Sequence, residues 1–84
     1  MDMAIRNIRY RVNTIELQKS AIECGMGKIK DLSEASGVDR NTLSKVLNGK
    51  ITPSAKVMYA LVATLHLSEE QAGIIFFSRD LRIE

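Results

Sequence analysis

Arg40, Asn41, Ser44, Lys45 and Asn48 are five hydrogen-bonding residues within nine positions, and Leu43, Val46 and Leu47 are interleaved with them. On a helix, the three apolar residues would share the inward side and leave the five polar ones on the opposite or N-terminal side. Such a set has a definite chemistry. Arg40 and Lys45 can address O6 and N7 of guanine, Asn41 can pair with N6 and N7 of adenine, and Ser44 can reach either base type in a major groove. Thr42, Asn48 and Lys50 surround that set, and Lys28 and Lys30 precede it, as candidates for phosphate contacts. Thr52 and Lys56 fit either a phosphate contact or a solvated surface.

No catalytic arrangement competes with this reading. The single histidine, His66, and the single cysteine, Cys24, have no neighbours that would make a nucleophile, a zinc site or a disulfide. There is no phosphate-cradling glycine loop, so the chain is expected to be neither an enzyme nor a holder of a metal or cofactor. Cys24 is read as a buried, inert thiol, the Tyr59 ring as packing, and His66 as a helix-closing residue.

The elements that would position the polar set follow from helical periodicity broken by turn signals. Asn13 with Glu16 has the form of a capping box and starts a helix running from about Thr14 to Cys24, with Ile15, Leu17, Ala21 and Ile22 as its apolar side. A second helix of about two turns covers Lys28 to Ser36 and stops at Gly37. A third has Asp39 as its N-cap and runs to about Asn48, before Gly49. Pro53 and Ser54 restart a helix to Leu65, and Ser68 with Gln71 caps a fifth from Glu69 to about Phe77. At the N-terminus, Ile8, Tyr10 and Val12 alternate with arginines as in a strand, although Ile5, Ile8, Val12 and Ile15 also fit helical spacing. Strand is the preferred reading, and alternation at Leu81 and Ile83 would let the two ends pair as a short ribbon.

Residues 32–50, LSEASGVDRNTLSKVLNGK, thus read as two short helices joined through a glycine. Leu32 and Ala35 are expected to face inward on the first, and Val38, Leu43, Val46 and Leu47 across the turn and along the second. Gly37 suits a bend that needs positive φ. Ser33 must be small where the second helix crosses the first.

Those residues resemble the lambda-repressor-like, or Cro/CI (XRE), family of helix-turn-helix DNA-binding domains. The likeness runs from about Thr14 to Phe77, with the motif at about residues 28–48. GVDRNTLSKVLNGKITPS is similar to the family's second-helix signature, and the helix after Pro53 to its fourth helix. The resemblance implies an all-α, five-helix domain, double-stranded operator DNA as ligand, and usually a homodimer. Lys28 and Ile29 stand where the family usually has a small cap and a glutamine, and Ser33 where it usually has alanine. Asp39 replaces the usual serine cap.

Length and composition agree with one folded domain over residues 1–84. Apolar residues make up 45% and charged residues 26%, with one proline and five glycines. No apolar run approaches a membrane span or signal peptide, so a cytoplasmic location is expected. The net charge of +2 is concentrated at the start, where residues 1–30 carry six basic and three acidic groups. Arg6, Arg9 and Arg11 fit either an arm against DNA or an exposed surface. Ile74, Ile75, Phe76 and Phe77 exceed what one helix face can bury, so they are either covered by the N-terminal segment or form a dimer contact.

The resulting expectation is a small repressor of phage or mobile-element type on a pseudo-palindromic operator. The alternatives are an antitoxin of the same fold, whose partner would be a toxin, or a protein-interaction module without DNA binding. An antirepressor protein is a further conceivable partner.

Overall fold

The computed structural model describes residues 10–79. Five helices follow one another: α1 (Thr14–Glu23), α2 (Ile29–Ser36), α3 (Arg40–Leu47), α4 (Ala55–Leu65) and α5 (Glu69–Phe76). Two-residue strands, β1 (Tyr10–Arg11) and β2 (Ser78–Arg79), flank them and pair antiparallel, with Tyr10 opposite Arg79 and Arg11 opposite Ser78. The ribbon expected from alternation therefore exists in its inner part, whereas Ile8, Leu81 and Ile83 lie outside the described residues, as do Arg6 and Arg9.

Four of the five helix starts have a local cause in a capping side chain. Asp39, Ser54 and Ser68 each accept a hydrogen bond from the backbone N–H three residues on, which satisfies one of the donors a helix leaves unpaired. Ser68 and Gln71 form a full reciprocal box. Asn13 forms half of one. Its Oδ1 accepts from the Glu16 N–H at 3.2 Å, but its own N–H donates to the carbonyl of Ile75 at 2.7 Å, so tertiary structure takes the donor that Glu16 would have claimed. That bond ties the start of α1 to the end of α5.

The core is one cluster built from every helix: Leu17 and Ala21 of α1, Leu32 of α2, Leu43 and Val46 of α3, Leu61 and Leu65 of α4, Ile75 and Phe76 of α5, with Val12 and Val38. Five expectations of burial or packing fail. Ile15 and Ile22 are 75% and 65% exposed, because at about 100° per residue they point roughly 100–160° away from Leu17 and Ala21 and cannot share their face. Ala35 is exposed, since α2 turns Leu32, with half-buried Ile29 and Ser36, to the core and leaves Ala35 to one side. Cys24 is exposed too, at the C-cap of α1, where its thiol donates weakly to the Leu65 carbonyl at 3.5 Å. Tyr59, expected to pack, is exposed on α4.

His66 closes α4 in the left-handed conformation, at φ 53°, the one non-glycine residue with positive φ among those described. An L side chain there carries about 1–2 kcal/mol of strain. Glycine would remove it while adding about 0.4–1 kcal/mol of unfolded-state freedom. His66→Gly is accordingly expected to stabilise the fold by about 0.5–1 kcal/mol, read as a raised urea midpoint at unchanged slope. A lowered midpoint would contradict the strain assigned to this cap.

Candidate nucleic-acid interface

The bend between α2 and α3 is held by backbone geometry and two hydroxyls. Gly37 caps α2 at φ 74°, in the left-handed region, and its N–H bonds the Ser33 carbonyl. Ser33 Oγ donates to the Val38 carbonyl at 2.6 Å. Ser36 Oγ donates to the Leu32 carbonyl at 2.7 Å and accepts from the Val38 N–H at 3.2 Å. Ser33 is therefore more than small: it bonds across the turn, and an alanine there would leave the Val38 carbonyl without that donor. Val38 inserts into the core directly after the bend.

That clamp sets α3 with Leu43 and Val46 fully buried and Leu47 half-buried against the core. Arg40, Asn41 and Lys45 are exposed along the other side, and Ser44 is half-buried between them. The Ser44 hydroxyl accepts from Asn48 Nδ2 at 3.5 Å, so these two residues, one turn apart, are oriented together. Thr42 is half-buried, its N–H spent on the Asp39 carboxylate. Asp39 is thereby occupied as a cap, with its charge next to the first turn of α3.

The basic residues proposed around α3 fall at both of its ends. One groove of about 230 Å³ is lined by Lys28, Asn48, Leu47 and Ile29, bringing the start of α2 to the end of α3. Another, of about 240 Å³, joins Lys56 of α4 with Gly37, Asp39 and Thr42 at the start of α3. Lys30 and Lys50 are exposed, as is Thr52. Lys28 occupies the N-cap of α2 and makes no side-chain cap bond, so the first backbone N–H groups of α2 have no side-chain cap of their own. Arg11 is exposed on β1.

Gln18 is an addition that no pattern in the sequence announces. From α1 its Nε2 donates to the Leu47 carbonyl at the end of α3, at 3.0 Å. The partner is a backbone atom 29 residues away, and spacing rules reach only across neighbouring turns.

The four apolar residues at the end of α5 and its C-cap divide. Ile75 and Phe76 are buried, while Ile74 and Phe77 remain 48% and 55% exposed. The edge of the Tyr10 ring meets Phe77 at 6.0 Å between centroids and 81° between planes, so the N-terminal strand covers Phe77 in part. Tyr10 is itself half exposed.

Among the described residues no group of three or more His, Cys, Asp or Glu side chains could hold a metal ion, and no helix is long and apolar enough to cross a membrane. Residues 25–71, more than half of the chain, match the model of a helix-turn-helix family, spanning α2, α3, α4 and the start of α5. No curated protein and no solved structure matches the chain.

Proposed function

We infer that this chain, which belongs to the lambda-repressor-like, Cro/CI-type (XRE) helix-turn-helix family and is a DNA-binding regulator of that type, acts as a repressor on a pseudo-palindromic operator bound by a homodimer. The observation that carries the reading is the two-sidedness of α3: Leu43 and Val46 are fully buried on one side, and Arg40, Asn41 and Lys45 stand exposed on the other. In this reading Arg40, Asn41, Ser44 and Lys45 read bases in the major groove, and Lys28, Lys30, Thr42, Asn48 and Lys50 hold phosphates. The uncapped start of α2 adds backbone donors to the phosphate set. Two copies would place their α3 helices in successive major grooves about 34 Å apart, and occupancy of a promoter would exclude polymerase. A phage or mobile-element setting fits a regulator of this kind, working in the cytoplasm without an enzymatic activity of its own.

Selection of bound duplexes from a random library tests the reading. Winners with two inverted half-sites about one helical turn apart are expected; recovery of no preferred sequence would defeat it.

The exposed surface of Tyr10, Ile74 and Phe77 supports the homodimer, because aromatic and aliphatic groups clustered on the side of α5 and the ribbon gain most from mutual burial. Phe77→Glu is expected to turn a sedimenting dimer into a monomer and to weaken operator binding while leaving the helical content unchanged. The same surface also suits an antitoxin's contact with a toxin. A wild-type chain that sediments alone as a monomer would favour that second reading, with a toxin or antirepressor as the protein that covers the patch.

A further inference from the structure

We propose that Gln18 is a positioning residue for the C-terminal half of α3, setting where Ser44, Lys45 and Asn48 stand against DNA. The inference rests on the base-reading role given to α3 above. The end of α3 has four carbonyls that helix geometry leaves without partners. Ser44 O accepts from the Asn48 N–H at 3.0 Å, Lys45 O from the Lys50 N–H at 2.8 Å, and Val46 O from the Gly49 N–H at 3.1 Å. These three bonds come from the turn through Gly49, at φ 71°. The fourth carbonyl, Leu47 O, receives Gln18 Nε2 at 3.0 Å. The last turn of α3 is thus closed by a side chain from another helix.

One turn earlier on the same face of α1, Thr14 stands beside the turn that closes α3: a Cβ added at Gly49 would come within 3.4 Å of the Thr14 methyl, ordinary van der Waals distance, so there is room there for little more than the glycine. Thr14 and Gln18 are four residues apart, neighbours on one helical face. The Gln18 bond ties the end of α3 to this face of α1 at a point outside the core, with Thr14 next to the closing turn.

Core packing alone would not do this. Leu43 and Val46 anchor the inward side of α3, but at its very end Leu47 is only half-buried and Asn48 is exposed, so the final carbonyl and the turn after it are not enclosed by the core. The Gln18 bond is itself solvent-exposed, so water can replace it at Leu47 O and little global stability depends on it. What it supplies is orientation of the last turn, on which Lys45 and the Ser44–Asn48 pair ride.

The experiment compares wild type with Gln18→Met, which keeps the bulk without the donor, Gln18→Glu, which turns an acceptor towards the carbonyl, and Gln18→Arg, which keeps a donor. Each is titrated against the selected operator, single-base variants of it and a scrambled duplex, with melting temperature and amide exchange measured in parallel. Gln18→Met and Gln18→Glu are expected to lose about 3–10-fold in the operator-to-scramble ratio, the size of one hydrogen bond. The loss should concentrate at base pairs read by Ser44 and Lys45 and spare those read by Arg40 and Asn41. Melting temperature should stay within a few degrees, and Gln18→Arg should restore the ratio. An unchanged ratio in Gln18→Met overturns the proposal, as does a loss spread evenly over all positions with a lowered melting temperature. If wild type itself shows no base preference, the base-reading role of α3 fails, and amide exchange decides the positioning separately. Faster exchange at Asn48, Gly49 and Lys50 in Gln18→Met supports it; unchanged exchange overturns it.

Discussion

Leu43→Ala is expected to destabilise the fold by about 2–5 kcal/mol, a loss comparable with much of what a domain of this size has to lose. Leu43 is fully buried in the one core that all five helices share. Removing its isobutyl group forfeits the transfer energy and leaves a cavity at the point where α3 leans on its neighbours. At about 4–8 °C per kcal/mol for a domain of this length, the melting temperature should fall by about 8 °C or more, measured by circular dichroism at 222 nm. Leu47→Ala, at a half-buried position one turn on, should cost distinctly less. Equal effects at the two sites would mean that α3 is not held by the inward side assigned to it. The consequence for binding is indirect but large: the polar residues of α3 are useful only while the helix is held, so Leu43→Ala should lose DNA affinity in proportion to the fraction unfolded.

The same dependence of one side of a helix on the other explains how much of the molecule can be read from residue order. Five helices, four of their N-terminal caps and the left-handed turn at Gly37 follow from local rules, because each signal acts within four residues. The two sides of α3 are legible for the same reason: Leu43 and Val46 fix the inward direction, and the exposure of Arg40, Asn41 and Lys45 follows by geometry.

Where the reading failed, a nonlocal choice was being made. Ile15 and Ile22 are as apolar as Leu17, but α1 can turn only one face inward, and packing favoured Leu17 with Ala21. Glu16 has the right spacing for a full box with Asn13, yet the Asn13 N–H is claimed by Ile75 from the other end of the described chain. The Ser33 bond to Val38 was reduced in the sequence to a requirement for small size, since only the path of the turn reveals the carbonyl it meets. Gln18 had no signal at all, its partner being a main-chain atom of another helix.

Arg40→Ala and Lys45→Ala should each cost about 1–3 kcal/mol of discrimination between the right and the wrong base pair, roughly 5–150-fold in the affinity ratio. Both side chains are exposed on α3 and lie off its buried stripe, so neither truncation opens a cavity, and melting temperatures should barely move. Arg40 sits in the first turn and Lys45 in the last, so the two losses should fall at different base pairs of each half-site and add when combined. Lys28→Ala supplies the contrast. In the phosphate role proposed for it at the start of α2, its loss should weaken operator and scrambled duplex alike and reduce the steepness of the salt dependence by about 0.9 in the logarithmic slope. Anisotropy titrations at several salt concentrations separate the two patterns. If Arg40→Ala and Lys45→Ala instead weakened every duplex equally and flattened the salt dependence, the cations of α3 would be neutralising phosphates, and base choice would have to come from Asn41 and Ser44 or from the shape of the DNA.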